Sequence, residues 1–207
     1  MPSTLVLLVR HGLTAAVGVT LPGRVPGVHL TDEGRVQAET VAARLAKLPK
    51  IAGVYASPLE RARETALPIA RALGVAVRIE RGLNELDMGE WSGISLKRVR
   101  RKPEWERVQR YPSGFRFPGG ESFTEMQARM TSTIAALVAR HPDETIVAVS
   151  HADPIKATVA HALGSALDLF QRIVIFPASV TAIRHYPGGP QVLTVNSADG
   201  DLAGLAR

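Results

Sequence analysis

Short apolar runs alternate along the chain with longer stretches in which apolar positions recur every three or four residues. The runs are typical of strands, and the longer stretches are typical of amphipathic helices. Seven runs are predicted as strands: Leu5–Val9, Gly53–Ala56, Val75–Ile79, Thr145–Val149, Ile173–Phe176, Thr181–His185 and Gln191–Val195. Two of them, Leu5–Val9 and Thr145–Val149, are apolar without alternation, which indicates strands covered on both faces, as in a parallel sheet.

The predicted helices begin at recognisable capping sequences. Thr31 precedes a stretch with helical periodicity, and Ser150 precedes another directly after a predicted strand. "SPLE" at Ser57 and "SFTE" at Ser122 have the spacing of capping boxes, the first with Glu60 reaching back to the cap. Strand–helix–strand order with right-handed crossovers predicts an α/β fold, a three-layer αβα sandwich with a mostly parallel central sheet.

The composition limits the class of protein and its chemistry. The 207 residues include no cysteine, which excludes disulfides, thiolate metal sites and cysteine nucleophiles. No apolar run has the length of a membrane span and the N-terminus lacks signal-peptide features, so we expect a cytoplasmic protein without a membrane partner. The net charge of +6 fits an anionic ligand, but an arginine-rich proteome explains it as well, and composition alone favours that second explanation.

Charged side chains follow three of the predicted strands at the point where each strand ends. Arg10 and His11 follow the first strand, Arg61 lies in "SPLERARET" after the second, and His151 lies in "SHADP" after the strand at Thr145–Val149. Because ligands of open α/β sheets bind at the carboxyl ends of the strands, we expect these side chains to converge on one rim. The guanidinium groups of the arginines and the free backbone N–H groups of helix N-termini at that rim can bind the oxygens of a phosphoryl group.

Five motifs in this sequence occur in the order and spacing of a known family. They are "LVRHGLT", "SPLERARETA", "NELDMGEWSG", "PGGES" and "VSHAD". With them the chain resembles the histidine phosphatase superfamily, which includes the cofactor-dependent phosphoglycerate mutases. The resemblance covers most of the chain and implies a phosphoglycerate mutase-like fold.

The resemblance also implies roles for the catalytic residues. His11 is the nucleophile and becomes phosphorylated, and Glu85, preferred over Glu90, donates a proton to the leaving alcohol. The phosphoryl oxygens are held by Arg10, Arg61 and His151. A neutral imidazole is a competent nucleophile, and two guanidiniums with an imidazolium supply the positive charge that phosphoryl transfer needs. We therefore expect no metal and no cofactor.

Two further positions are implied as contacts to the substrate. Thr14 follows the nucleophile, and Ala152 follows the second histidine, where many members have glycine; the backbone N–H is retained there. With these two, the expected substrate-binding residues are Arg10, Thr14, Arg61, His151 and Ala152. Many members also carry an asparagine several residues after "RHG", where this chain has residues 15–18, "AAVG". One phosphate contact of the family is therefore in doubt.

Residues 82–120 are less regular than the rest of the chain and contain both tryptophans. We predict that they form an insertion over one edge of the sheet and over the active site. They are not expected to form a separate domain, so the whole chain, 1–207, is predicted to be one histidine phosphatase domain.

The motif around Glu85 favours a phosphatase over a mutase. The mutases follow the acid with a histidine and a tyrosine that bind phosphoglycerate, whereas this chain has Asp87 and Met88. Arg100 and Arg101 form a pair, but the residues around them match the mutases poorly. We therefore expect a metal-independent phosphatase of phosphomonoesters that acts through a phosphohistidine, with a phosphoglycerate mutase as the alternative.

Two other classes of function remain as alternatives. The basic stretch Lys97–Lys102 could bind nucleic acid, although it lacks interleaved aromatic residues on a strand platform, so no nucleic-acid partner is expected. A catalytically inactive binding protein of the same fold is less compatible with the complete set of reactive residues. The expected partner is a small phosphorylated substrate of unspecified identity. A homodimer is left open, since an edge strand could pair with the edge strand of a second copy.

Overall fold

Strands and helices alternate along residues 2–206, the part of the chain that the computed structural model describes. The strands are β1 Thr4–Arg10, β2 Ile51–Ala56, β3 Val77–Ile79, β4 Thr145–Ser150, β5 Val180–Tyr186 and β6 Gly189–Ser197. The α-helices are α1 Asp32–Leu45, α2 Glu60–Leu73, α3 Leu96–Val99, α4 Trp105–Arg110, α5 Phe123–Arg140 and α6 Ala152–Ala162. No helix in this part of the chain is both long and apolar enough to cross a bilayer.

The six strands form one sheet in the order β3-β2-β4-β1-β5-β6. The first four in this order are parallel, β5 is antiparallel to β1, and β6 is antiparallel to β5. The predicted mostly parallel sheet is therefore confirmed. β3 begins at Val77 rather than at Val75, because the Val75 N–H donates to the Ala70 carbonyl at the end of α2.

Helices cover both faces of the sheet, which confirms the three-layer sandwich. Leu7 of β1 belongs to the core that α1 and α2 cover, together with Val41 and Ile69. Leu8, the next residue, belongs to the opposite core with Ile134 of α5 and residues of α6. Successive residues of a strand point to opposite faces, so a strand covered on both sides must be apolar throughout. This explains the uninterrupted apolar run of β1.

Aromatic side chains attach residues 82–120 to the α5/α6 layer. The Phe117 ring lies 5.3 Å from the Trp91 ring and 5.5 Å from the Phe123 ring of α5, between ring centroids. Phe123 in turn lies 5.3 Å from Phe170. Edge-to-face and tilted contacts at these distances stabilise the packing beyond the area that they bury. The loop that carries Glu85 thus packs into a separate apolar cluster through Leu86 and Met88, in addition to its contact with the sheet at Leu83.

Two predicted helix starts agree with the structure. Thr31 accepts the Gly34 N–H as the cap of α1. Ser122 and Glu125 form the reciprocal hydrogen bonds of a capping box at α5.

The predicted capping box at Ser57 is wrong. Helix α2 begins at Glu60, its cap is Leu59, and no side chain caps it. Ser57 instead lies against Asn84 and His151, and the Glu60 carboxylate accepts a backbone N–H from the loop at Gly27. Ser57 keeps one local partner, the Leu59 N–H at 3.4 Å, and its other partners come from distant segments.

The predicted strand Ile173–Phe176 is also wrong: this segment is an irregular loop. Its backbone groups are bound by side chains instead of by a neighbouring strand. The Ile175 carbonyl accepts a hydrogen bond from Arg10 Nη1 at 2.6 Å, and the Phe176 N–H donates to Asn196 Oδ1 at 2.5 Å. The apolar side chains of the loop line a cavity, which is why the sequence resembles that of a buried strand.

Candidate active site

The ends of three parallel strands bring the predicted catalytic residues together. Arg10 ends β1 opposite Ser150, which ends β4, and the His11 N–H donates to the Ser150 carbonyl at 3.0 Å. The rings of His11 and His151 are consequently 5.2 Å apart between centroids. Arg61 joins them from the first turn of α2, after β2. The convergence expected from the sequence is therefore present.

The tautomer of His11 follows from one hydrogen bond. His11 Nδ1 lies 2.8 Å from the Gly12 carbonyl oxygen, and a carbonyl only accepts, so Nδ1 carries the proton. Burial, reinforced by the positive charges of Arg61 and Arg10, lowers the pKa of His11 well below its usual value. The ring is therefore neutral, and Nε2 has a free lone pair.

Gly12 is required by the close approach of two backbone segments. A Cβ at Gly12 would lie 2.5 Å from the Gly34 carbonyl oxygen, and a Cβ at Gly34 would lie 2.1 Å from the Leu13 oxygen. The Gly12 N–H also donates to Thr65 Oγ1 at 3.0 Å. This packing holds the loop after β1, and with it His11, against the start of α1.

Two guanidiniums have buried donors that the protein does not satisfy. Arg61 is fully buried; its Nη2 donates to the Gly23 carbonyl at 2.8 Å, while Nε and Nη1 have no hydrogen-bond partner among residues 2–206. Arg10 Nε is likewise without one in that range. Burial lowers the pKa of both arginines, and the Glu85 carboxyl opposes this effect. Buried donors are normally satisfied, so an oxyanion is the ligand that fits this arrangement.

Glu85 has the properties of a proton donor. Its side chain is buried, and Oε1 accepts the Leu86 N–H at 2.9 Å. Burial and then the negative charge of Asp153 raise the pKa of Glu85 to about 7, against the opposing effect of Arg61. A carboxyl with this pKa is about half protonated at neutral pH and largely protonated below it.

Neither rival carboxylate of the "NELDMGEWSG" motif lines the cavity that contains Glu85. Glu90 is exposed. The Asp87 carboxylate accepts from Arg24 at 3.3 Å and from the Gly89 N–H at 3.0 Å. Asp153, which the sequence analysis did not single out, is the second carboxylate in the wall of the cavity.

Two arginines that the sequence analysis missed hold the backbone around Glu85. Arg24 Nε donates to the Glu85 carbonyl at 2.8 Å, and Arg129 Nη1 donates to the carbonyls of Gly82 and Asn84 at 2.7 and 2.9 Å. Both arginines bind the carboxylate of Glu121. The motif "PGGES" contains Glu121 and could have pointed to this carboxylate. The arginines that bind it could not be found from the motif, because Arg24 is far away in the sequence.

The cavity has a volume of about 440 Å³ and walls of two kinds. Its reactive end contains Arg10, His11 and Glu85. Helix α6 contributes a polar wall of Ala152, Asp153 and Lys156, with Gln171 beside them. The remaining wall is mainly apolar, including Val17, Leu21, Pro22, Met88, Leu96, Ile173 and Phe176.

Of the two further positions expected to contact the substrate, Ala152 and Thr14, only the first lines the cavity. Ala152 lines the cavity in the first turn of α6. Thr14 does not line it: this residue is buried, forms an isolated bridge with Leu30, and its hydroxyl has no hydrogen-bond partner within residues 2–206.

The basic stretch Lys97–Lys102 follows Leu96 of the cavity wall. Its exposed residues are Lys97, Arg98, Arg100 and Arg101.

No group of three or more histidine and acidic side chains in residues 2–206 has a metal-binding arrangement.

The comparison with protein families agrees with the geometry of the rim. The profile of the histidine phosphatase superfamily, branch 1, matches residues 6–198. The chain belongs to this superfamily.

Relatives of this chain include proteins named as phosphatases. Phosphoserine phosphatase 1 of Hydrogenobacter thermophilus is 34% identical over 169 residues, which cover 79% of this chain and 78% of the relative. A bifunctional protein of Mycobacterium tuberculosis is 30% identical over 200 residues, covering 96% of this chain and 55% of that protein. This chain thus spans about half the length of the mycobacterial relative.

A solved structure extends the likeness to three dimensions. Mycobacterial glucosyl-3-phosphoglycerate phosphatase superposes on this chain with a TM-score of 0.85 at 26% identity. The superposition covers 94% of this chain and 99% of the other. The phosphoglycerate mutase-like fold implied by the sequence is therefore confirmed.

Proposed function

We propose that this protein hydrolyses phosphomonoesters through a phosphohistidine formed on His11, without a metal ion. One observation supports this most directly. The Gly12 carbonyl binds the Nδ1 proton of a neutral, buried imidazole. Its Nε2 is thereby the free nucleophilic atom, and the neighbouring Arg10 and Arg61 have donors suited to a phosphoryl group.

The first step transfers the phosphoryl group to the protein. His11 Nε2 attacks phosphorus, the bond from phosphorus to the ester oxygen breaks, and Glu85 donates its proton to that oxygen. Arg10 and Arg61 neutralise the charge on the phosphoryl oxygens, which is the main requirement of phosphoryl transfer. Glu85 is suited to this role because its pKa is raised to about 7.

The second step returns His11 to its starting state. The Glu85 carboxylate accepts a proton from a water molecule, the water oxygen attacks phosphorus, and the bond to His11 Nε2 breaks to release inorganic phosphate. Each step uses the same groups in reverse roles, so the carboxyl is protonated again at the end.

Two residues after Glu85 favour hydrolysis over the mutase reaction. Asp87 is bound to Arg24 and the Gly89 N–H, so it is not directed at a substrate. Met88 adds an apolar side chain to the cavity wall. A mutase must hold both phosphoryl groups of a bisphosphorylated intermediate, and the apolar wall to which Met88 belongs offers no charged group for the second one.

The polar wall supports a proposal on the class of substrate. Lys156 Nζ lies 3.4 Å from Asp153 Oδ1 and 3.2 Å from Gln171 Oε1, in the same cavity as the reactive groups. An ammonium in this position suits a carboxylate on the leaving alcohol. Phosphoserine and glucosyl-3-phosphoglycerate, which appear in the names of two relatives, both carry one. We therefore propose carboxylate-bearing phosphomonoesters as substrates.

Rapid quenching followed by intact-protein mass spectrometry tests the mechanism. Mixing with p-nitrophenyl phosphate is expected to produce an acid-labile phosphoryl adduct on the wild-type protein. The adduct and the activity are both expected to be lost in His11→Ala and retained in His161→Ala, an exposed histidine of α6. Turnover by His11→Ala with an adduct elsewhere would refute the assignment.

The substrate class is tested separately with Lys156→Met. This variant is expected to raise KM for phosphoserine while leaving KM for p-nitrophenyl phosphate nearly unchanged, because only the first ester carries a carboxylate. Equal effects on both esters would contradict the proposed role of Lys156.

A further inference from the structure

Hydrogen bonds around Ser57 determine where its hydroxyl proton lies. Asn84 Oδ1 accepts the Glu85 backbone N–H at 3.1 Å, so this atom is the amide oxygen and not the amide nitrogen. Ser57 Oγ lies 3.2 Å from the same oxygen. An amide oxygen can only accept, so this contact is a hydrogen bond only if Ser57 donates its single proton to Asn84; the same hydroxyl accepts the Leu59 N–H at 3.4 Å.

The same hydroxyl determines the tautomer of His151. Ser57 Oγ lies 2.8 Å from His151 Nε2. Since the hydroxyl proton is already donated to Asn84, Ser57 can only accept at this contact, and Nε2 must carry a hydrogen. Burial, followed by the charge of Arg61, lowers the pKa of His151 well below its usual value. The free ring is therefore neutral, with its lone pair on Nδ1.

His151 Nδ1 is the ring nitrogen beside the reacting groups. It is buried, has no hydrogen-bond partner within residues 2–206, and lies 3.9 Å from Glu85 Oε2. The edge-to-face contact with His11 places the two rings 5.2 Å apart. A phosphoryl oxygen next to the lone pair of Nδ1 would be repelled, and it would be attracted only after Nδ1 had taken up a proton.

We propose that Ser57 and Asn84 are positioning residues that hold His151 with Nε2 protonated, so that Nδ1 takes up a proton when the ester binds and donates it to a phosphoryl oxygen. The proton is the one that a phosphomonoester monoanion carries. The ester becomes a dianion and the ring becomes an imidazolium, with no other reactant. This inference rests on the proposed function, because it assigns His151 to the same phosphoryl group.

The arrangement also links the two proton-carrying groups of the site. Asn84 Oδ1 binds both the Ser57 hydroxyl and the backbone N–H of Glu85. One amide oxygen therefore sets the position of the proposed acid and, through Ser57, the orientation of His151. A change at Asn84 or Ser57 is expected to act through these groups without touching the substrate.

Nitrogen-15 NMR of the histidine rings tests the tautomer, with His151→Gln identifying the signals. In the free wild-type protein we expect a protonated Nε2 and an unprotonated Nδ1. Addition of inorganic phosphate, whose monoanion carries a proton as the ester monoanion does, at a concentration that competitively inhibits p-nitrophenyl phosphate hydrolysis, is expected to protonate Nδ1 as well. A protonated Nδ1 in the free protein, or an unprotonated one in the inhibited protein, would overturn the inference.

Kinetics of three serine variants test the positioning role. Ser57→Ala is expected to lower the rate of His11 phosphorylation about tenfold, the value of one buried hydrogen bond, and to mix the two His151 tautomers. Ser57→Thr keeps the hydroxyl and should restore both. The control is Ser179→Ala, since Ser179 is equally buried and its hydroxyl has no partner in the described range; it should change neither.

The outcomes separate this inference from the proposed function. Retention of the wild-type tautomer and rate in Ser57→Ala would refute the positioning role even if His11 is phosphorylated. The expected tautomer in a protein that never forms a phosphohistidine would instead refute the proposed function. The wild-type spectrum decides the tautomer even if Ser57→Ala does not fold.

Discussion

Replacement of Glu85 by glutamine removes the proposed acid while keeping the size of the side chain. A general acid contributes about 10²–10⁴-fold to the rate of a step that expels a poor leaving group. An alkyl alcohol is such a group, whereas p-nitrophenolate leaves without a proton. Glu85→Gln should therefore slow phosphorylation of His11 by phosphoserine by about 10²–10⁴-fold, and by p-nitrophenyl phosphate much less.

The raised pKa of Glu85 gives this effect a dependence on pH. With a pKa of about 7 instead of 4.5, the carboxyl is about 90% protonated at pH 6 rather than about 3%, roughly a 30-fold gain in the active form. At pH 8 the protonated fraction falls to about 10%. The loss caused by Glu85→Gln with an alkyl ester should thus be about tenfold smaller at pH 8 than at pH 6.

Burst kinetics in a rapid-mixing instrument isolate the phosphorylation step. Dephosphorylation of the phosphohistidine is common to both esters, so steady-state rates could conceal the contrast between them. The quantity to compare is the ratio of the two phosphorylation rates in wild type and variant, because ionisations of the protein that affect both esters equally cancel. Glu90→Gln is the matched control, since Glu90 is exposed outside the cavity; its ratio should equal that of wild type. An unchanged ratio in Glu85→Gln would refute Glu85 as the acid.

Further predictions concern the metal, the packing and the support of the acid. Activity should survive exhaustive dialysis against EDTA; complete loss that a divalent ion restores would contradict the mechanism. Gly12→Ala should destabilise the protein by about 1–3 kcal/mol in denaturant titrations and sharply reduce activity, because its Cβ meets the Gly34 oxygen at 2.5 Å. The control is Gly188→Ala, where the added Cβ meets nothing within 4 Å; it should change stability by less than about 0.5 kcal/mol. Phe117→Ala should cost about 3–5 kcal/mol of unfolding free energy, and a loss below 1 kcal/mol would show that the aromatic cluster is not tightly packed. Arg129→Met should lower the phosphorylation rate with phosphoserine more than with p-nitrophenyl phosphate, since it releases the loop of the acid.

The sequence determined the layers of the fold and the reactive end of the site. Uninterrupted apolar runs specify strands covered on both faces, and the order of strands and helices specifies crossovers that leave every parallel strand ending at the same rim. Arg10 and His11 directly follow β1, and His151 directly follows β4. Although the pairing of β1 with β4 is a tertiary contact, chain connectivity alone places these residues on the same rim. For this reason they could be found without a structure.

The tertiary structure alone decided the partners of these residues. Ser57 has the local sequence of a helix cap, yet its hydroxyl binds His151, 94 positions away in the chain. Arg129 binds carbonyl groups 44 to 47 positions before it. The pKa of Glu85 depends on burial and on Asp153. Local patterns predict hydrogen bonds within a few residues, because those distances are set by the backbone. Contacts between distant segments, and the charges that these segments bring into a buried site, depend on how the layers pack, and no local pattern encodes that.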